Sequence, residues 1–291
     1  MEFVLHRFVL HNDRIQEATE PDLSPGQVGL LSGWGVFSTL RVADGVLFAF
    51  ERHWARIARD AVAMHVPIPG DPESVRRRLL ELVEANQAFN ATLRLVIVRN
   101  GGGMWAGPSN GRASDVIALT ADSKDWGDGV KLGYVKNARH AACEFSGTKI
   151  LSWAMNLTWV ESAQARDLDE VILLNEHGQV AECTSANIFA SNGGQVWTPP
   201  INSGCLPGIT REVLLGEIHV PGIQIAEKHL TTGDLESADE VFITSTTRNL
   251  LPVHQIEGKK IGRTDRTRRA LAAAFGEFVD RYVAAHKTAA V

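Results

Sequence analysis

The chain has 291 residues, 44% apolar and 22% charged, with 29 basic against 34 acidic side chains for a net charge of −5. This is globular composition, long enough for one large or two ordinary domains, and it excludes a disordered chain or a peptide-sized scaffold. No basic block appears beyond Arg76-Arg77-Arg78 and the stretch from Arg263 to Arg269, so counterion-driven nucleic-acid binding has little to work with.

The amino terminus, MEFVLHRFVLHNDR, lacks the charged-then-apolar pattern of a signal peptide. Apolar runs such as Val171 to Leu174 fall far short of the roughly 20 residues of a bilayer-spanning helix. Cys143, Cys183 and Cys205 have no CxxC spacing, which fits a reducing, cytoplasmic setting better than a disulfide framework.

Taken in chain order, Phe3 to Leu10 reads as a strand, and Gly35 to Val42 as another that turns at Ala43-Asp44-Gly45 into Val46 to Phe50. His53 to Ala63 and Glu73 to Ala85 have helical periodicity. Thr92 to Val98 and Val116 to Thr120 are strands on either side of the glycine run at 101–103. The polar stretch 123–129 reads as a linker between a domain at 1–122 and another at 130–291. Beyond it come a strand at Val130 to Val135 and a helix over about Ile150 to Ala165, from Ile150, Ala154, Leu157 and Val160. Strands then follow at Glu170 to Leu174, Val180 to Cys183, Asn187 to Ala190, Gln195 to Thr198 and Glu240 to Thr244. Thr210 to Glu217, Gly233 to Glu236 and Asp265 to Ala285 read as helices.

Four features depart from a plain core. Lys149 sits at the expected start of the 150–165 helix, where the dipole disfavours a cation; a lysine so weakened is a Schiff-base nucleophile, and it also reads as an exposed side chain at a helix end. Leu206-Pro207-Gly208-Ile209-Thr210-Arg211 runs a tight turn into a helix, a geometry for an anion or simply for a helix start. Thr244-Ser245-Thr246-Thr247 places four hydroxyls at a strand end, able to close a phosphate cup or only a turn. Glu182 is a carboxylate in an apolar strand: buried, it would suit a pyridinium nitrogen, and on an edge it would face water. The pair His140 and Cys143 has no further metal ligands nearby, so no metal is expected. The glycine run lacks the phosphate-loop patterns, and no G-x-S-x-G elbow is present.

Together and in order, these features resemble the class IV aminotransferases, the fold-type IV pyridoxal-phosphate enzymes that include branched-chain aminotransferase, D-amino-acid aminotransferase and 4-amino-4-deoxychorismate lyase. The resemblance begins at Gly33-Trp34-Gly35-Val36-Phe37-Ser38-Thr39-Leu40-Arg41 and His53-Trp54-Ala55-Arg56-Ile57. It continues through Leu93-Arg94-Leu95, Thr148-Lys149-Ile150, Glu182-Cys183-Thr184-Ser185-Ala186-Asn187, Leu206 to Arg211 and Ala238 to Thr247. It implies an α+β fold with a smaller N-terminal α/β domain and a larger, β-barrel-like C-terminal domain, and a homodimer. It further implies pyridoxal 5′-phosphate on Lys149 as an aldimine and Glu182 at the pyridine nitrogen. Arg56, Ile209, Thr210, Ser245 and Thr246 would hold the phosphate, with Leu206 on the ring face.

The implied activity is ping-pong transfer of an amino group from a small, branched-chain-like L-amino acid to a 2-oxo acid. Phe37, Thr39, Arg94 and Thr247 are the expected substrate residues, and Trp34 and Trp105 the remaining apolar wall. Arg94 and Arg99 lie an odd number of residues apart on one strand and so face opposite sides, Arg94 being the one expected at the substrate carboxylate. Phe37-Ser38-Thr39-Leu40-Arg41-Val42 is closer to the lyase string than to the branched-chain one, which keeps pyruvate elimination by the lyase as the alternative. Gly103-Met104-Trp105-Ala106 lacks the Arg-x-His of the D-amino-acid enzymes.

Overall fold

In the computed structural model, which describes residues 4–20, 23, 27–104 and 111–287, the chain divides into two compact units. The first holds the described residues up to 124 together with Thr148–Trp153 and those from 281 onward. Its six strands are β1 (Phe8–His11), β2 (Arg14–Glu17), β3 (Gly35–Ala43), β4 (Val46–Leu47), β5 (Ala91–Arg99) and β6 (Ser114–Asp122). They form one antiparallel sheet in the order β2-β1-β6-β5-β3-β4. Three helices accompany it, α1 (Val28–Ser32), α2 (Phe50–Ala63) and α3 (Pro72–Ala85).

Because strand side chains alternate between faces, β3 and β5 are divided cleanly. Val36, Leu40, Val42, Leu93, Leu95 and Ile97 pack with Ile57, Leu79 and Leu82 of the helices. Phe37, Val96 and Val98 form a separate cluster on the opposite face, with Leu151 and Trp153 against it. The expected hairpin is a two-residue one: Asp44 and Gly45 have φ of 48° and 79°, and Ala43 pairs with Val46. Positive φ at both central residues matches the right-handed twist of the strands, and Asp-Gly tolerates it. Helix α3 starts where Asp71 accepts the Glu73 N–H at 3.0 Å and Pro72 opens the first turn. The first strand is shorter than expected: Leu5 makes an isolated bridge to Ala121, and Phe3 lies outside the described residues.

The second unit holds 125–147 and Ala154–Asp280. Its strands are β7 (Val130–Val135), β8 (Glu170–Leu174), β9 (Val180–Cys183), β10 (Asn187–Asn192), β11 (Gln195–Thr198), β12 (Gln224–Glu227), β13 (Glu240–Ser245), β14 (Asn249–Ile256) and β15 (Lys259–Lys260). Their order is β12-β11-β10-β13-β14-β7-β8-β9, with β15 on β14. The terminal strand β9 joins β10 through a tight turn in which the Cys183 N–H donates to the Ala186 carbonyl. The last strand therefore returns to the third, and the sheet curls back on itself around Leu132, Ile172, Val180, Ile188 and Ile243. Helices α4 (Ala154–Gln164), α5 (Ile209–Gly216), α6 (Thr232–Ser237) and α7 (Arg266–His286), with a 3₁₀ turn at Ile201–Ser203, complete the described elements. Glu240 accepts the Thr267 and Arg268 N–H groups at 2.9 and 2.7 Å, a carboxylate on the positive end of α7. None of these helices is long and apolar enough to cross a membrane among the described residues.

A buried polar cluster ties the curl together. Glu170 accepts Ser185 Oγ at 2.8 Å, the Thr184 N–H at 3.2 Å and Arg248 Nη2 at 3.3 Å. The Arg248 guanidinium lies 3.9 Å from the Trp126 ring centroid, and burial pulls it below its ordinary range while Glu170 opposes that shift. Glu170→Ala leaves that cation without its carboxylate and is expected to cost about 3–5 kcal/mol, read as a lowered midpoint in urea at unchanged slope.

Candidate active site

Lys149 lies in extended backbone. Ile150 bridges to Val36, Phe37 N–H donates to the Lys149 carbonyl at 3.1 Å, and Leu151 N–H donates to the Gly35 carbonyl at 2.9 Å. Helix α4 begins five residues later at Ala154, so the dipole argument for a weakened ammonium does not hold. The amine instead lies over an aromatic ring that it shares with a second cation: Nζ is 4.4 Å from the Phe37 ring centroid, and the Arg94 guanidinium is 4.1 Å from the same centroid. Burial lowers the Arg94 guanidinium below its ordinary range.

The segment reaches this place because small residues line its path. A Cβ on Gly33, whose φ is 61°, would meet Ser152 Oγ at 2.5 Å, and one on Gly35 would crowd Leu151 Cδ2 at 3.3 Å as well as the Ile97 carbonyl of β5 at 2.5 Å. Ser152 Oγ in turn donates to the Gly33 carbonyl at 2.9 Å. This contact explains the glycines around Trp34 in the motif.

Thr39 pairs with Arg94 in the β3–β5 register, so Thr39, Phe37 and Arg94 share the sheet face opposite the helices. Ser38 faces the helices, where its Oγ lies 2.7 Å from His53 Nδ1 and accepts Arg56 Nη2 at 2.8 Å. His53 is fully buried, and burial first, then the charges of Arg56 and Lys149, hold it well below the ordinary imidazole range, so it is neutral at pH 7. Arg99 lies on the helix side of β5, stacked 4.2 Å from the Trp34 centroid and donating to the Gly101 and His65 carbonyls, both at 2.6 Å. Trp34 packs with that same core and donates to the Met64 carbonyl at 2.7 Å, so the two tryptophans expected beside Phe37 are not both there. Trp105 falls outside the described residues.

In the second unit Glu182 is only 7% exposed although β9 ends the sheet. It does not face water: Oε1 accepts Arg139 Nε at 2.9 Å and Oε2 accepts the Leu206 N–H at 3.0 Å. Arg139 was not legible as a partner, because ten residues and a turn separate it from Lys149 and no pattern links it to β9. The Leu206 carbonyl accepts Asn187 Nδ2 at 2.8 Å, and a Cβ on Gly208 would lie 2.1 Å from Asn187 Oδ1. Gly208 is therefore required by a close approach, and Asn187 braces the loop.

Helix α5 begins at Ile209 with no side-chain cap, and Ile209 and Thr210 are both 3% exposed. Asn187 pairs with Thr244 in the β10–β13 register, which puts the α5 start and the hydroxyl turn at the same end of those strands. There Ser245 Oγ accepts the Arg248 N–H at 3.2 Å and lies 3.4 Å from Thr247 Oγ1. Glu182, Leu206, the α5 start and Ser245 to Thr247 thus belong to one connected set. Among the described residues no three His, Cys, Asp or Glu side chains gather to hold a metal ion.

Known proteins resemble the chain over nearly its whole length. A Methanocaldococcus jannaschii protein carrying the provisional name branched-chain-amino-acid aminotransferase is 31% identical over 86% of this chain and 88% of its own. D-alanine aminotransferase of Bacillus licheniformis is 30% identical over 87% of this chain and 90% of its own. The crystal structure of a branched-chain aminotransferase from Thermoproteus uzoniensis, solved with norvaline, superposes with a TM-score of 0.86 at 25% identity, covering 96% of this chain and 97% of that one. These likenesses give the chain the fold-type IV, α+β arrangement, and they favour amino transfer over the lyase alternative. The family profile described as Amino-transferase class IV matches residues 35–256, a span from the start of β3 to the end of β14, and the chain belongs to that family of enzymes.

Proposed function

We propose that the chain uses pyridoxal 5′-phosphate, held on Lys149, to move an amino group from a small, branched-chain-like L-amino acid to a 2-oxo acid. The observation that carries this reading is the grouping of Lys149 Nζ, Phe37 and Arg94 on one face of the first unit's sheet. The amine that handles the α-proton and the cation suited to an α-carboxylate are neighbours on one aromatic ring.

The second unit fits the rest of the cofactor. An uncapped, buried helix start is suited to a phosphate, and a buried carboxylate beside an arginine is suited to a ring N–H. Ile209 and Thr210 N–H groups, Ser245, Thr246 and Arg56 would hold the phosphate, Leu206 the ring face and Glu182 the ring nitrogen. When bound, the cofactor supplies a carbonyl for the substrate amine and a ring that withdraws electrons from the α-carbon. Lys149 Nζ takes the α-proton and returns it, Arg94 and the Thr247 N–H hold the substrate carboxylate, and Phe37 and Thr39 exclude water from the side-chain position. The protein is read as a homodimer.

The test is the half-reaction without acceptor, with L-leucine, L-glutamate and D-alanine in separate cuvettes. L-leucine or L-glutamate is expected to convert the visible band of the lysine-bound cofactor to the pyridoxamine phosphate form, with release of the keto acid. D-alanine alone doing so would assign the D-series relative's specificity instead. Pyruvate released from an aminodeoxychorismate-type substrate, with the band unchanged by all three, would overturn transfer.

A further inference from the structure

Helix α2 buries a polar stripe. His53, Arg56 and Asp60, at i, i+3 and i+7, lie on one helical face, and none is more than 8% exposed. Charged groups are kept at such positions only with partners. His53 and Arg56 converge on Ser38. Asp60 turns elsewhere: its Oδ1 accepts Arg59 Nε at 2.9 Å, and its Oδ2 accepts the backbone N–H of Lys149 at 3.0 Å.

That second bond falls on the short extended stretch that carries Lys149. Residues 149–151 join β3 through one isolated bridge and two hydrogen bonds, both made on the β3 side. Leu151 packs beside Phe37, Val96 and Val98, while the Lys149 N–H faces the helix. Asp60 fixes the peptide N–H of Lys149 from the helix, so the backbone from which the lysine side chain springs is held from both sides.

We propose that Asp60 is a positioning residue for Lys149, a carboxylate on α2 that fixes the lysine backbone and through it the place of Nζ. The four-carbon stem of lysine carries any displacement of its Cα out to the amine, and a misplacement of about 1 Å at a reacting group costs about 10²-fold. The same helix carries Arg56, so a single rigid element sets both the lysine and the arginine. This inference rests on the reading of Lys149 as the residue that bonds the cofactor.

The experiment compares pyridoxal phosphate with pyridoxamine phosphate, which has the same ring and phosphate but forms no bond to lysine. Dissociation constants for both are measured on the full chain by fluorescence quenching for wild type, Asp60→Leu, Asp60→Asn and Lys149→Ala. Loss of a hydrogen bond to a carboxylate predicts that Asp60→Leu weakens pyridoxal phosphate about tenfold or more and pyridoxamine phosphate less than about twofold. Asp60→Asn keeps an oxygen for the Lys149 N–H and is expected to stay within about threefold of wild type for both ligands. Asp60→Ala replaces Asp60→Leu, with the same expectation, if the larger side chain does not fold. An unchanged ratio of the two constants in Asp60→Leu, or an Asp60→Asn as impaired as Asp60→Leu, overturns the proposal. Lys149→Ala separates the two levels: if it leaves the wild-type ratio intact, the lysine reading itself fails, whereas if it collapses the ratio and Asp60→Leu does not, only the role of Asp60 is lost.

Discussion

Lys149→Ala is expected to abolish the visible band of the bound cofactor and to lower turnover by about 10²–10⁴-fold or more, the range for removing a positioned acid–base group, while the fold survives. The separation follows from which atoms of Lys149 do what. Its N–H and carbonyl hold the segment between Asp60 and Phe37, and alanine keeps both. The side chain lies over the Phe37 ring, a contact worth about 0.5–2 kcal/mol as a cation–π pair. Absorption spectra and steady-state turnover, set beside a thermal melt, check all three expectations. A variant that kept both the band and the turnover would remove Lys149 from its role, and one that lost the fold would show that the lysine side chain holds the structure by more than its ring contact.

The elements legible in the sequence were those whose signals are local. Asp44-Gly45 carries its own backbone requirement, α3 its own cap, and β3 and β5 an alternation that places Phe37 and Arg94 on one face whatever the rest of the chain does. The expected 150–165 helix failed at its front end because Ile150 counts as apolar at helical spacing and also as a strand residue, and the edge of β3 decided between them. The buried side of α4 differs from the expected stripe too. Leu157 is 52% exposed while Asn156 is buried, its Nδ2 donating to the Thr184 carbonyl at 2.8 Å. A polar residue is buried there because a distant carbonyl waits for it, and periodicity carries no record of that. Strand β14 is not legible because Pro252 lies inside it and its polar residues Asn249, His254 and Gln255 follow no alternation; a proline within a run argues against a central strand. The candidate site divides in the same way: Lys149, Glu182 and the Leu206 to Arg211 turn stand out as residue types that their surroundings do not explain. Arg139, Asp60 and Asn187 join the site through Glu182, Lys149 and Leu206, each far away in sequence.

Glu182 is where charge and packing roles have to be separated. With Arg139 on one oxygen and the Leu206 N–H on the other, Glu182→Ala does more than take a carboxylate from a ring nitrogen. It leaves a largely buried guanidinium without its carboxylate, with the Ala138 carbonyl and Asn156 Oδ1 as its remaining acceptors, and frees the loop that leads into α5. The expected cost is about 3 kcal/mol, the low end of the range for breaking a buried pair, because Arg139 keeps some access to solvent. Turnover should fall by about 10²–10³-fold as well, the loss typical of a group aimed at developing charge. Glu182→Gln tells the two apart. Its amide oxygen still accepts from Arg139, but its NH₂ then meets the Leu206 N–H, donor against donor, at a cost of about 1–3 kcal/mol. Stability should therefore recover in part, while turnover stays low because a neutral amide does not favour a protonated ring nitrogen. Denaturant midpoints and kcat on the two variants, measured where both are fully folded, give the answer. Full turnover in Glu182→Gln would mean that the carboxylate is there for Arg139 and the Leu206 loop, and that the ring nitrogen is held by something else.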